Sequence, residues 1–312
     1  MLDTASKTFF HLVARSQTLK TLASRYGMRK TSSFARRFIA GETAAEAIEA
    51  AARVEARGMA VTLDLLGESV TNLNGADAAT REYLAVMDEM IASGVGRNIS
   101  LKLTQLGLDV DKASAVDNLR KILERAEPAG FFVRVDMENS AYTGVTLEIV
   151  ETLWRHGHRD LGVVLQSALY RTENDLQRIN ALGGRVRLVK GAYKEPKAVA
   201  YAKKSDVDAA YARLLKTLIT AGHDPAIATH DPAMIALAQS IAREHQVAAD
   251  RFEFQMLYGI RRDLQAMLVK AGYRVRVYIP FGREWFPYFM RRLGERPANV
   301  MFVIRAILGE GG

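Results

Sequence analysis

The run PYFMRRLGERP, residues 287–297, sets two adjacent arginines and a glutamate among aromatic and aliphatic residues. The spacing predicts a helix over 284–296, with Pro287 in the first turn, where its missing N–H costs little. Tyr288, Arg291, Arg292 and Glu295 then fall at i, i+3, i+4 and i+7, on one face. Phe286, Phe289, Met290 and Leu293 take the opposite, core-seeking face. An ordinary solvated face is the plain account of the first set. Exposed helix faces, however, usually mix lysine with glutamate, whereas paired guanidiniums beside a phenol suit bidentate capture of a planar carboxylate and closure over an apolar body. Glu295 lies within reach of both arginines and can fix their orientation.

A second set of polar residues sits inside β-branched runs: Lys102, Asp136, Glu138, Gln166, Arg187, Lys190, Thr229, His230, Glu253, Gln255 and Tyr278. Any one of them can be a buried group satisfied by its neighbours. Lys190-Gly191-Ala192 places a cation beside backbone with little side-chain bulk, which a phosphate or a flat ring can approach closely. His230 has no second histidine at metal-ligand spacing, so no metal site is expected. Asp136 and Glu138, two apart, are expected on one strand face, either as an acid/base or divalent-cation pair or as ion-pair partners of Lys102 and Arg187. No GxGxxG after the first strand, GxxxxGK[ST], HExxH or GxSxG occurs.

The elements that must position these residues follow a regular order. Short β-branched runs recur at 61–68, 98–107, 131–139, 161–169, 185–193, 225–231, 251–259 and 274–282, with amphipathic stretches such as TREYLAVMDEMIASGVG and DPAMIALAQSIAREHQ between them. Eight strand–helix units without a Pro/Gly/Ser-rich linker predict one closed (β/α)8 TIM-type barrel of the α/β class. The expected organisation is a single catalytic domain over 1–312, with a helical arm at 1–40, the barrel over 58–312 and the last helix over the barrel mouth. Inner strand positions are expected to be nearly all apolar, with chemistry gathered at the C-terminal mouth. The chain of 312 residues is 49% apolar, enough for a large core. It holds no cysteine, which excludes disulfides, thiolate metal sites and a cysteine nucleophile. No apolar run reaches the ~18 residues needed to span a bilayer.

The net charge of +8 gathers in the arm, where Lys7, Arg15, Lys20, Arg25, Arg29, Lys30, Arg36 and Arg37 face one acid, Asp3. That composition suits a transit peptide, or a patch attracted to nucleic acid or anionic lipid. The apolar Phe9, Phe10, Leu12, Val13, Phe34, Phe38 and Ile39 favour short helices docked on the barrel instead.

Taken together, YFMRRLGE, VKGAY at 189–193, SLKLTQLG at 100–107, VRVDMEN at 133–139 and YIPFG make the chain resemble the proline dehydrogenase family, flavoenzymes that oxidise L-proline. The resemblance runs from about RRFIAGE at 36–42 to the C-terminus. It implies that Arg291, Arg292 and Lys102 hold the proline carboxylate while Glu295 braces the arginines. Asp136, Tyr278, Tyr288 and Leu257 would shape the pocket around the ring. FAD would lie across the barrel mouth, with Arg187 near its reactive edge and Met137, Gln166, Lys190, Gly191, Ala192, Thr229 and His230 in contact with it. Asp136 and Arg187 are the implied catalytic residues. The implied reaction is hydride transfer from proline C5 to flavin N5, giving 1-pyrroline-5-carboxylate, with electrons passed to ubiquinone or a similar quinone. A cytoplasmic enzyme with a peripheral contact at the inner face of the plasma membrane, binding no nucleic acid, is expected. The chain has no room for the further domains of bifunctional relatives, so the monofunctional bacterial form is expected. REWFPY is shorter than in those relatives, and GAYK replaces their GAYW, which leaves position 194 without a stacking ring. The competing reading is a barrel aldolase with Lys102 or Lys190 as a Schiff-base nucleophile.

Overall fold

The structure, a computed structural model, describes residues 34–294. Eight parallel strands close a barrel in chain order: β1 (Ala60–Leu65), β2 (Asn98–Leu101), β3 (Phe132–Val135), β4 (Leu161–Gln166), β5 (Arg185–Val189), β6 (Ala226–Ala228), β7 (Glu253–Leu257) and β8 (Arg274–Phe281). Helix α1 (Ala44–Glu55) precedes β1. After successive strands come α2 (Leu73–Ser93), α3 (Lys112–Ala126), α4 (Ser140–Arg155), α5 (Thr172–Ala181), α6 (Lys204–Ala221), α7 (Pro232–Glu244), α8 (Arg262–Lys270) and α9 (Trp285–Gly294). The ring closes between β1 and β8, in register from Ala60 opposite Arg276 to Leu65 opposite Phe281.

Local sequence sets where the helices begin. Thr43 and Glu46 form a capping box at α1, and Asn72, Asp111, Asn139 and Asp231 each accept a backbone N–H at the start of α2, α3, α4 and α7. Two of these caps, Asn139 and Asp231, follow their strands within a few residues, so the chain leaves the barrel mouth sharply.

The expectation of an apolar barrel interior is overturned. Val61, Leu63, Ile99, Val133, Val163, Leu188, Phe254 and Val277 pack in one apolar core with helix residues such as Met87, Leu119, Leu147 and Leu215. They therefore point outward, to the helical coat. The alternate positions face the barrel axis, and many of them are polar, among them Thr62, Asp64, Ser100, Arg134, Arg187, Glu253, Gln255, Arg276 and Tyr278. The apolar period in the strand runs comes from helix docking, and the inside is held by paired charges, which a dry interior tolerates when partners are supplied.

This interior has two tiers. At the N-terminal end Arg276 meets Glu253 at 2.9 and 3.1 Å and donates to the Val61 carbonyl at 2.7 Å, while Arg134 reaches the Arg185 carbonyl at 2.8 Å. Glu253, grouped by sequence with the residues of the mouth, opens β7 and belongs to this lower tier. The upper tier forms the site.

A separate apolar cluster holds the last helix in place. Ala35, Phe38 and Ile39 pack with Leu66 and with Trp285, Phe286, Phe289 and Met290 of α9. The same segment continues β8: Ala40 N–H donates to the Pro280 carbonyl at 2.9 Å, and Gly282 N–H to the Gly41 carbonyl at 3.0 Å. Gly259 allows the approach, since at φ +74 a Cβ there would stand 1.7 Å from the Arg37 carbonyl oxygen. Phe38 and Ile39 thus dock as expected, whereas Phe9, Phe10, Leu12, Val13 and most of the basic arm lie outside the described residues. Among the described residues no helix is long and apolar enough to cross a membrane.

Candidate active site

The C-terminal strand ends and α9 enclose a cavity of about 510 Å³, within the usual range for a small-molecule site. It is lined by Lys102, Asp136, Met137, Gln166, Arg187, Lys190, Gly191, Ala192, Thr229, His230, Leu257, Tyr278, Tyr288, Arg291 and Arg292. Every residue that the resemblance assigned to substrate or cofactor is there except Glu295, which lies outside the described residues; Glu138 and Glu253, also singled out from the sequence, do not line it. Lys194 is exposed and does not line it.

Asp136 is the hub of the inner end. Arg187 Nη1 donates to its Oδ1 at 2.7 Å and the Tyr278 hydroxyl to its Oδ2 at 2.7 Å, with Lys102 Nζ 3.8 Å from Oδ2. Lys102 donates to Asp64 Oδ1 at 3.2 Å, and Arg187 Nη2 to Ser100 Oγ at 3.0 Å. The Arg187 guanidinium lies over the Tyr278 ring, 5.3 Å from its centroid.

Protonation states follow from these contacts. Burial disfavours the Lys102 ammonium, but Asp64 and Asp136 outweigh it and hold its pKa well above the ordinary lysine value. Burial also raises the Tyr278 phenol, with Asp136 and Asp64 adding to the shift, so it remains a hydrogen-bond donor. Asp136 accepts hydrogen bonds from both sides.

Of the two alternatives for Asp136 and Glu138, the carboxylate pair does not form, and Asp136 is instead an ion-pair partner of Arg187 and Lys102. Strand β3 stops at Val135, so the two-residue spacing no longer puts both on one face. Glu138 turns instead to Thr104, accepting from its hydroxyl at 2.6 Å and its N–H at 3.3 Å. Among the described residues no cluster of His, Asp and Glu is arranged to hold a metal ion.

At the rim, Lys190 Nζ stands 2.5 Å from Asp208 Oδ1 and 2.8 Å from Asp231 Oδ2. Burial pulls the Lys190 pKa down, and the hydrogen bonds to both acids turn the balance upward. Neither Lys102 nor Lys190 is the neutral amine that carbonyl addition requires, which argues against the Schiff-base aldolase. Beside Lys190, Gly191 adopts φ +110, and a Cβ there would come within 3.2 Å of Ala168 Cβ and 3.3 Å of Gln166 Oε1. His230 Nε2 accepts the Leu257 N–H at 2.9 Å, so in the neutral ring the proton is on Nδ1.

Helix α9 covers the cavity. Arg291 makes a two-point contact with Glu68, at 2.6 and 3.3 Å, and the Arg292 guanidinium lies 5.3 Å from the Tyr288 ring centroid. Tyr288 both lines the cavity and joins the apolar cluster under the helix. Burial works against the Arg291 charge, and Glu68 more than restores it.

Sequence reasoning passed over Asp64, Glu68, Tyr193 and Lys204. Tyr193 and Lys204 line the cavity, and Asp64 and Glu68 hold two of its cations. A signal existed for Asp64 and Glu68, acids within the apolar run VTLDLLGE. Tyr193 stands in the quoted VKGAY, where only its two small neighbours and the lysine drew attention.

Comparison with known proteins shows the family and the fold. The sequence pattern of the family described as Proline dehydrogenase matches residues 47–305. Proline dehydrogenase 2 of Bacillus subtilis (strain 168) is 39% identical over 302 residues, covering 97% of this chain and 98% of the relative. Proline dehydrogenase of Deinococcus radiodurans is 39% identical over 312 residues, covering 99% of each. Among solved structures, proline utilization A (PutA) from Bdellovibrio bacteriovorus, inactivated by N-propargylglycine, is similar with a TM-score of 0.78 and 27% identity over 83% of this chain. The chain spans 32% of that much longer protein.

Proposed function

Because the chain belongs to the proline dehydrogenase family, we propose that its barrel oxidises the ring C–N bond of L-proline, with FAD held across the mouth. The observation that carries the reading is the convergence of Lys102, Arg291 and Arg292 on one cavity whose other walls include Leu257, Tyr278 and Tyr288. That is a carboxylate clamp over a small apolar body.

The residues at the rim fit the cofactor. Lys190 and Lys204 supply positive charge for a phosphate chain, Gly191 leaves its backbone bare, and Met137, Val164, Val189 and Ala228 offer apolar surface to a flat ring system. Gln166, Ala192, Thr229 and His230 are assigned to the same ligand. When bound, FAD supplies the two-electron oxidant.

The chain's own groups bind, orient and exclude water. Lys102 and the arginines fix the carboxylate, and Glu68 neutralises Arg291 where no carboxylate is bound. Tyr288, Leu257 and Tyr278 enclose the ring. Arg187 presents a fixed cation that favours an electron-rich group in the cavity, and Asp136 orients both Arg187 and Tyr278. Glu295 is assigned to brace the arginines. With FAD bound, the substrate would lose a hydride from C5 to the flavin and a proton from nitrogen to solvent water, and 1-pyrroline-5-carboxylate would leave. A quinone is the assigned final acceptor, and the basic arm is assigned a peripheral contact with anionic lipid, which unchanged liposome binding after deletion of residues 1–35 would contradict.

The deciding test is a visible spectrum. A yellow protein bleached by L-proline supports the reading; purified protein without flavin, gaining no activity on addition of FAD, overturns it. Arg291→Lys and Arg292→Lys should each raise KM for proline by roughly tenfold or more, since a bidentate guanidinium is replaced by a point charge.

A further inference from the structure

The clamp leaves one neighbour without a role. Asp64 points inward from β1 beneath Lys102 and is completely buried. Its Oδ1 takes the Lys102 ammonium at 3.2 Å, and its Oδ2 has no hydrogen-bond partner. A buried carboxylate is unfavourable unless its charge is answered, and every other β1 residue from Val61 to Leu65 is uncharged. Asp136 cannot take its place, because its oxygens already receive Arg187 and Tyr278 at 2.7 Å each and it stands 3.8 Å from Lys102 Nζ.

We propose that Asp64 is a positioning residue for substrate carboxylate recognition: it anchors the Lys102 ammonium from below and fixes its charge, leaving its remaining N–H bonds to the cavity. The proposal deepens the proline reading and rests on the assignment of Lys102 to the carboxylate.

The groups acting on Lys102 set the expected direction. Asp64 and Glu68 face it from β1 and the loop beyond, Tyr83 from α2, and Asp136 and Glu138 from the end of β3. Arg187 of β5, Tyr193 of the following loop and Tyr278 of β8 complete its surroundings. Burial pulls Lys102 toward the neutral amine, and Asp64 is the largest opposing influence. Without its charge, Asp136 is the main support left, and it is shared with Arg187. Lys102 then loses its proton at a lower pH, and with it the grip on a carboxylate.

Asp64→Asn tests this, because it keeps the shape and removes the charge. The probe is tetrahydrofuran-2-carboxylate, a five-membered ring carboxylate without a titrating amine, whose dissociation constant is followed from about pH 7 to about pH 10 on the FAD-loaded protein. The wild type should bind it with a flat profile. Asp64→Asn should bind it roughly tenfold more weakly at the alkaline end, and the added change Lys102→Arg should remove that alkaline limb, since a guanidinium does not titrate there. A profile for Asp64→Asn parallel to that of the wild type overturns the proposal. Lys102→Ala separates it from the reading beneath: unchanged probe binding in Lys102→Ala sinks the assignment of Lys102 itself, whereas weakened binding there beside an unaltered Asp64→Asn sinks only the role of Asp64. If Asp64→Asn alone does not hold flavin, thermal unfolding decides. The double variant Asp64→Asn/Lys102→Met must then be more stable than Lys102→Met, and equal or lower stability overturns the proposal.

Discussion

Lys102 and Lys190 are each bracketed by two aspartates, yet the two clusters work under opposite conditions. The Lys102 side chain is 9% exposed, with Asp64 and Asp136 beside it, and two largely buried acids are balanced there by Lys102 and Arg187. The Lys190 side chain is 25% exposed, Asp208 and Asp231 are similarly open, and Lys204 shares Asp208. Inside the barrel every charge depends on a named partner. At the rim, water and neighbouring charges replace what is lost. The inner cluster can therefore present a fixed charge pattern to a small substrate, while the rim can adjust to a long, phosphate-bearing ligand.

The largest expected effect breaks the inner cluster. Lys102→Met leaves two buried carboxylates facing each other and should cost about 3–5 kcal/mol in denaturant unfolding. Lys190→Met, which also removes one lysine from two aspartates, should cost less than about 1 kcal/mol. Equal losses would mean that burial does not separate the two sites.

Gly191→Ala probes the rim by geometry instead of charge. At φ +110 an L side chain is strained, and its Cβ would crowd Ala168 and Gln166. A stability loss of about 1–2 kcal/mol is expected, together with weaker FAD retention, read as flavin fluorescence released on dilution. A stable variant with undiminished flavin would show that this backbone does not need to be bare.

The sequence made part of this contrast legible. Eight β-branched runs separated by amphipathic stretches were enough for the barrel, and the spacing of Tyr288, Arg291 and Arg292 put them on one face of α9, as the cavity lining bears out. The interior was not legible, because a barrel sheet is buried on both faces and a period of two cannot say which set points to the helices. The expectation of a nearly all-apolar interior followed from the apolar residues of runs such as β1, and Asp64, between Leu63 and Leu65, was overlooked. Strand ends were also hidden. SLKLTQLG reads as strand to residue 107, whereas β2 stops at Leu101, and the turns beyond it carry Lys102 to the cavity and Thr104 to Glu138. Glu68 was missed because its partner, Arg291, is distant in sequence and brought near only by closure of the β8–α9 unit.

A smaller effect separates charge from hydrogen bonding within the inner cluster. Tyr278→Phe removes one donor from Asp136 but leaves Arg187 at 2.7 Å. A loss of about 1 kcal/mol is expected, well below that of Lys102→Met. A loss as large as that of the lysine variant would mean that the phenol, not the ammonium, holds the carboxylates.

The smallest effect lies in the acid range, where the two clusters differ in sign. Lys190 holds the Asp231 carboxyl below the ordinary carboxylate range, and Lys190 with Lys204 outweighs burial to do the same for Asp208. A depressed carboxylate contributes stability that is fully present above its unfolded pKa and lost as pH falls through its folded pKa. Asp64 behaves in the reverse sense: burial raises it, against the pull of Lys102, so between its unfolded and folded values it takes up a proton more readily when folded. Acidification through the carboxylate range should therefore weaken the Lys190 pairs at the rim, whereas protonation of Asp64 carries no such loss. Asp231→Asn, which keeps the helix cap of α7 while removing the charge, should flatten the fall of the denaturant midpoint below about pH 4. An unchanged slope would place the acid sensitivity elsewhere and remove the sign difference between the two lysine sites.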